Sequence, residues 1–220
     1  AGTGGAQGLV RASWNGSSFT QDSTISSGVI SGLLGMADNG THLLVCNSGN
    51  AVQKIEKSTG TVTSMPGISS SSNKQGILWD GTYFWLGSYT TSTTVYRMDD
   101  WTNSSTTYTS YTKPSWDGAQ GRGAAYNFLT NEYYFSDTAN VFAYTYNGSS
   151  LAFASKSSTS GYTTSSEIDY IRQSSSSAWV VASDYNYDRL KPALAVPAVA
   201  PAPPTDPDIG NATYDSISYT

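Results

Sequence analysis

The sequence predicts an all-β protein, and three observations carry that expectation. Ser and Thr make up roughly 28 % of the chain, a bias toward strands and turns over helix. Asp-Gly and Asn-Gly pairs stand between short apolar runs, where hairpin turns are built because both central positions of such a turn can take positive φ. The paired runs also recur. Gly35 to Ile55, Gly76 to Met98, Gly123 to Thr145 and Glu167 to Ser183 start about 41, 47 and 44 residues apart, the length expected of a four-stranded unit.

Along the chain, the first element is a hairpin in "LVRASWNGSSFTQDS", Leu9 to Ser23, with its turn at the "NGSS" sequence. The first repeat turns at Asp38-Asn39-Gly40 and continues into "AVQKIEKSTGTVTSM", with an outer turn at Ser58 to Gly60. The second, "GILWDGTYFWLGSYTTSTTVYRM", turns at Asp80-Gly81, and its flanking aromatics read as inner-strand side chains that fill the space between sheets. The third turns through Thr130 and Asn131 and continues into "VFAYTYNGSSLAFAS". The fourth has a serine run in place of the turn and no outer hairpin directly after Ser183. The N-terminal hairpin resembles Val141 to Ser155 and is expected to supply the missing strands. "DYNYDRL", Asp184 to Leu190, is an alternative third strand for that unit.

Over about Leu9 to Ser183 this organisation resembles the β-propeller architecture, specifically a small one of four blades. The resemblance implies a domain over 1–190, with blades near 33–65, 76–112 and 123–155, and a fourth made of 167–184 with 9–23. It implies no named family: no WD dipeptide ends a blade, and neither a kelch pattern nor a calcium loop is present.

After Leu190 the composition changes to "KPALAVPAVAPAPPTDPDIGNATYDSISYT", read as an extended tail over 191–220. Pro192, Pro197, Pro201, Pro203, Pro204 and Pro207 favour a polyproline conformation, and the alternation around Tyr214, Ile217 and Tyr219 suits a terminal strand added to an open edge. Such a tail is expected to lie against its own domain or a neighbouring copy. "PAVAPAPP" also resembles the Pro/Ala motifs of hydroxyproline-glycosylated cell-surface proteins.

Composition narrows the function classes. The net charge is -5, with 11 Lys and Arg spread singly, so no basic patch exists to hold nucleic acid. No apolar run approaches the roughly 20 residues of a membrane helix. A start at Ala1 in "AGTGGAQG", without Met, reads as a removed leader or a missing upstream region. Cys46 in "LLVCN" is the only cysteine and reads as a small buried residue, so it does not fix the redox compartment.

Catalytic chemistry finds little support. His42 is the only histidine and lies just after a turn, and no GxSxG elbow is present. Propeller glycosidases place carboxylates at the channel mouth. Asp38 and Asp80 are explained by turns, leaving Glu167 and Asp169 with no partner to form an acid/base pair. No catalytic residue, metal site or cofactor is expected. Trp14, Trp101, Trp116 and Tyr146 lie in or beside turns and are candidates for stacking on sugar rings. Sequons at Asn15, Asn39, Asn103, Asn147 and Asn211 are candidates for N-glycosylation, three of them at hairpin turns.

The function expected from these features is that of a non-enzymatic structural subunit of an extracellular, cell-surface or virion-surface assembly: a filament, an appendage or a coat. Its partners would be copies of itself or other subunits, contacted through the tail. A glycan- or receptor-binding adhesion propeller is the alternative, and a glycosidase-like propeller the third reading.

Overall fold

The computed structural model describes residues 7–15, 17–29, 33–47, 51–68, 74–88, 93–118, 120–158, 165–172, 178–184 and 189–196. All regular structure among them is β. A hairpin of β1 (Gln7–Trp14) and β2 (Phe19–Val29) comes first. Three antiparallel meanders of four strands follow. The first is β3 (Leu33–Asp38), β4 (His42–Asn47), β5 (Val52–Glu56) and β6 (Val62–Met65). The second is β7 (Lys74–Trp79), β8 (Phe84–Ser88), β9 (Thr94–Met98) and β10 (Tyr108–Thr112). The third is β11 (Ala124–Asn127), β12 (Glu132–Ser136), β13 (Asn140–Tyr146) and β14 (Leu151–Ser158). The last sheet has three described strands, β15 (Ser165–Arg172), β16 (Ala178–Asp184) and β17 (Arg189–Val196). The chain is therefore all-β, and its successive meanders are consistent with a small β-propeller.

The first strands of the four sheets lie side by side: β3 against β7, β7 against β11, and β11 against β15. Alternation along each strand then sends side chains to both faces. Leu44 and Cys46 of β4 meet Ile77, Phe84, Leu86 and Met98 in a core between the first and second sheets. Trp85 and Val95 meet Tyr133, Phe142 and Tyr144 between the second and third. On the opposite face of the first sheet, Leu43, Val45 and Ile55 are covered by Leu9 and Ile25 from the base of the hairpin.

The inner approach of β7 and β11 is close enough to require glycine. A Cβ on Gly76 would lie 2.6 Å from the Ala124 nitrogen and 2.7 Å from the Gly123 carbonyl carbon. At this point backbone meets backbone, and no side chain can turn aside.

The structure differs from the sequence reading in three places. The Asx-Gly turns take positive φ only at the glycine, +94° at Gly40, +98° at Gly81 and +94° at Gly148, so they follow the type II′ pattern with glycine at the first central position. The third strand of the last sheet is β17, which runs through Pro192 into the segment expected to be tail. Proline is tolerated there because β17 is an edge strand of that sheet. The register also shifts between Val180 and Val181, whose partners are Leu194 and Pro192. Finally, β1 and β2 form a sheet of their own, without joining β15–β17. The remaining tail residues, Pro197, Pro201, Pro203, Pro204, Pro207, Asn211, Tyr214, Ile217 and Tyr219, lie outside the described residues.

Candidate functional site

Four of the hairpin turns are closed by the same side-chain device. Asn39 Oδ1 accepts hydrogen bonds from the backbone N–H of Thr41 and His42, and Asp80 Oδ1 from those of Thr82 and Tyr83. Asn147 Oδ1 accepts from Ser149 and Ser150, and Asn15 Oδ1 from Ser17 and Ser18, so both "NGSS" turns are built alike. Asp80 has a second task. Its Oδ2 accepts from Trp85 Nε1 at 2.7 Å and from the Tyr133 hydroxyl at 2.8 Å, which ties the second sheet to the third. Both carboxylate oxygens are thus occupied by structure.

Tyr146 lies in a packed knot between the same two sheets. Its hydroxyl donates to the Gly148 carbonyl and accepts from Arg97 Nη1 at 2.9 Å, and it lies 3.0 Å from the Tyr111 hydroxyl. The Arg97 guanidinium stacks on Tyr83 at 4.4 Å, and Nη2 lies 3.5 Å from Asp99. Burial alone would lower the Arg97 pKa, but the surrounding tyrosines and Asp99 raise it overall. Burial and the Tyr146 contact push Tyr111 up to about 12. The Tyr146 ring meets Trp85 edge-on at 5.0 Å. The group acts as an interlocked clamp.

The two described tryptophans among the candidate stacking residues are also engaged. Trp116 is buried, donates from Nε1 to the Gly118 carbonyl, and packs on Phe142 at 4.3 Å. Its other contact is Lys113, whose ammonium lies 3.3 Å from the ring centre. Lys113 is only 2 % exposed, and burial lowers its pKa to about 7 against the opposing pull of Asp137. Trp101 is half-buried against Trp79, Phe84 and His42, and its carbonyl accepts a hydrogen bond from Lys54. The Trp14 side chain lies outside the described residues.

Among the described residues few groups remain for chemistry. His42 is half-buried with Nδ1 2.9 Å from Thr41 Oγ1, and burial together with Lys54 lowers its pKa. Cys46 is buried in the core between the first two sheets. Among the described residues no three His, Cys, Asp or Glu side chains come together as a metal site. Glu167 and Asp169 fall on β15, paired with Ser183 and Val181, and their side chains lie outside the described residues. Among the sequons, Asn15, Asn103 and Asn147 are exposed, and Asn39 is half-buried.

The surface feature that stands out is the N-terminal hairpin. The hairpin exposes Val10 to Ser13 on β1 and Thr20 to Thr24 on β2, consecutive residues that cover both of its faces. Among its described side chains, Leu9 and Ile25 at the base are half-buried on the first sheet, and β2 lies beside β6. A two-stranded hairpin open on both faces has little apolar burial of its own. Strand β14 is similar, exposed from Ala152 to Ser155 and on through Lys156, with Phe153 39 % exposed on an edge strand. Sequence signals found the hairpin and the outer strand, but no sequence signal distinguished covered from open faces. No helix among the described residues is long and apolar enough to cross a membrane.

No protein-family model matches the chain, and no curated protein matches it. Solved structures share its fold. The crystal structure of Myxococcus xanthus glutaminyl cyclase aligns with a TM-score of 0.50 at 10 % identity, covering 76 % of this chain and 70 % of that one. The computationally designed Ika4 protein aligns at 0.47 and 11 % identity, over 76 % of this chain and 92 % of that one, a score too low to carry an argument. What the chain shares with the cyclase is an arrangement of strands.

Proposed function

We propose that this chain is a non-enzymatic structural subunit of an extracellular, cell-surface or virion-surface assembly, built as a small propeller whose four sheets close into a ring. The observation that carries this reading is the N-terminal hairpin, a two-stranded sheet in which each strand is an edge and residues on both faces are exposed. Strand edges of this kind invite pairing with another chain, because each presents a row of free N–H and C=O groups. The interior supports the same conclusion. Its polar groups, Asp80, Arg97 and Tyr146 among them, are spent on joining sheets, so the domain is a rigid body carried by an assembly. Its partners are copies of itself, and the Pro-rich segment after Val196 is the connector between them.

The test is the mass and shape of the full-length particle, by light scattering and negative-stain microscopy. Multiples of the 23.3 kDa chain mass, or filaments, are expected. A monomer at every concentration overturns the proposal.

A further inference from the structure

Two segments of this chain are suited to one position in the fourth sheet. In the third sheet the third and fourth places are taken by β13 and β14, joined through the "NGSS" turn at Asn147. The N-terminal hairpin has the same turn at Asn15. The likeness extends to atoms: each Asn Oδ1 accepts from the two following serine N–H groups and from their hydroxyls, and each Asn N–H donates to the carbonyl of the second serine. By this homology β1 is shaped for the place beside β16, and β2 for the place outside it. That place is held by β17, a strand interrupted by Pro192 and a register shift. The hairpin stands apart, yet its base is anchored on the outward face of the first sheet, with β2 beside β6. This is the side on which a fourth sheet has to meet the first if the ring closes.

We infer that β1 replaces β17 beside β16 in the assembled state, and that the displaced segment from Arg189 onward pairs with an open strand edge of a second copy of this chain. Several physical arguments favour the exchange. β17 carries Pro192 at a register shift, whereas β1 contains no proline and brings β2 with it. The hairpin, exposed on both faces in its present position, gains a third strand. The released segment carries six prolines from Pro192 to Pro207, whose fixed φ favours extended backbone and lowers the conformational freedom lost on docking. The edge it fits is that of β14, where five consecutive residues from Ala152 to Lys156 are exposed. A subunit with β17 in place keeps its own arm in the last sheet. One with β1 in place has an arm to give.

This inference rests on the assembly reading, and one cysteine experiment separates the two. Aligning β13 with β1 and β12 with β16 places Ser13 opposite Ala178, as Thr145 is opposite Glu132. Alternatively, Ala178 is paired with Val196. Two full-length variants are made in a Cys46→Ser background, one carrying Ser13→Cys with Ala178→Cys, the other Ala178→Cys with Val196→Cys. Both are oxidised as assembled particles and as dilute monomers, and disulfides are read by peptide mass. Within assembled particles the 13–178 bond is expected in most chains and the 178–196 bond in few, with the reverse in dilute monomers. If assembled particles keep the 178–196 bond and lack the 13–178 bond, the exchange is overturned while assembly stands. If no particles form at any concentration, the assembly reading itself fails. Thermal unfolding of both reduced variants confirms that each is folded before oxidation.

Discussion

The ammonium of Lys113 rests on the indole of Trp116, 3.3 Å from the ring centre, inside the wall between the second and third sheets. Trp116 partly offsets the cost of burying that charge, since a cation over an indole face is attracted by the ring quadrupole. The offset is incomplete, because burial still lowers the lysine pKa from 10.5 to about 7. Lys113 therefore titrates near neutral pH in the folded protein and near its ordinary value in the unfolded chain.

The sign of the pH effect follows. Between about pH 7 and pH 10.5 the unfolded chain binds the Lys113 proton and the folded protein does not, so stability rises with pH across that window. Below pH 7 the full cost of the buried charge is present. Lys113→Met, similar in volume and uncharged, is expected to raise stability at pH 6 on the order of 1–3 kcal/mol and to flatten the rise. Urea unfolding at pH 6 and pH 9 checks both. A variant less stable than the parent at pH 6 would show that the contact with Trp116 outweighs the burial cost.

The tyrosines set the upper limit. Burial raises Tyr126 to about 12, with the Asp80 carboxylate adding to it, and raises Tyr108, Tyr133, Tyr134 and Tyr144 further still. Above the unfolded pKa of 10 the unfolded chain loses these protons first, so stability falls as pH rises beyond it. With Lys113 acting below, the unfolding midpoint is expected to be highest between pH 9 and pH 10. The tyrosinate absorbance of these five tyrosines should appear together with unfolding.

Much of this architecture is legible in the sequence because its signals are local. An Asn or Asp before glycine closes its own turn with its own side chain, and four such turns at Asn15, Asn39, Asp80 and Asn147 mark four hairpins. What depends on a distant partner is not legible. Trp116 lies in "KPSWDG", a stretch that reads as an exposed linker, yet Phe142 and the adjacent Lys113 enclose it. Tyr146, beside a turn, is committed to Arg97, 49 residues away. The strand at Arg189–Val196 was hidden by Pro192, because a proline counts against a central strand and only the sheet order shows that β17 lies at an edge.

Gly76 and Gly40 separate two reasons for needing glycine. At Gly40 an added Cβ meets nothing within 4 Å, and the cost of Gly40→Ala is backbone strain at φ +94°, about 1 kcal/mol. At Gly76 the obstacle is the backbone of Gly123 and Ala124, so Gly76→Ala has to push the second and third sheets apart, at about 1–3 kcal/mol. Chemical denaturation gives both magnitudes. Near-ultraviolet circular dichroism should change only for Gly76→Ala, since only that variant moves the aromatic wall.

Asp80 provides the sharpest test of how the sheets are joined. Its Oδ1 closes a turn, as Asn39 does with an amide, and its Oδ2 accepts hydrogen bonds from Trp85 and Tyr133, which are 0 % and 5 % exposed. Asp80→Asn keeps the turn acceptor but faces two buried donors with an NH2 group, which is itself a donor. Asp80→Ala removes both functions. If the carboxylate serves chiefly as a turn cap, Asn should be nearly as stable as Asp, as the sequence at Asn39 suggests. If it is chiefly the tie between sheets, Asn and Ala should both lose about 2–4 kcal/mol, because the unpaired indole and phenol donors stay buried. The second outcome is expected. A Tyr133→Phe change made on top of Asp80→Asn should then recover part of the loss, since it removes one of the orphaned donors. Recovery in that double variant, measured by urea unfolding, can only come from the contact between the second and third sheets.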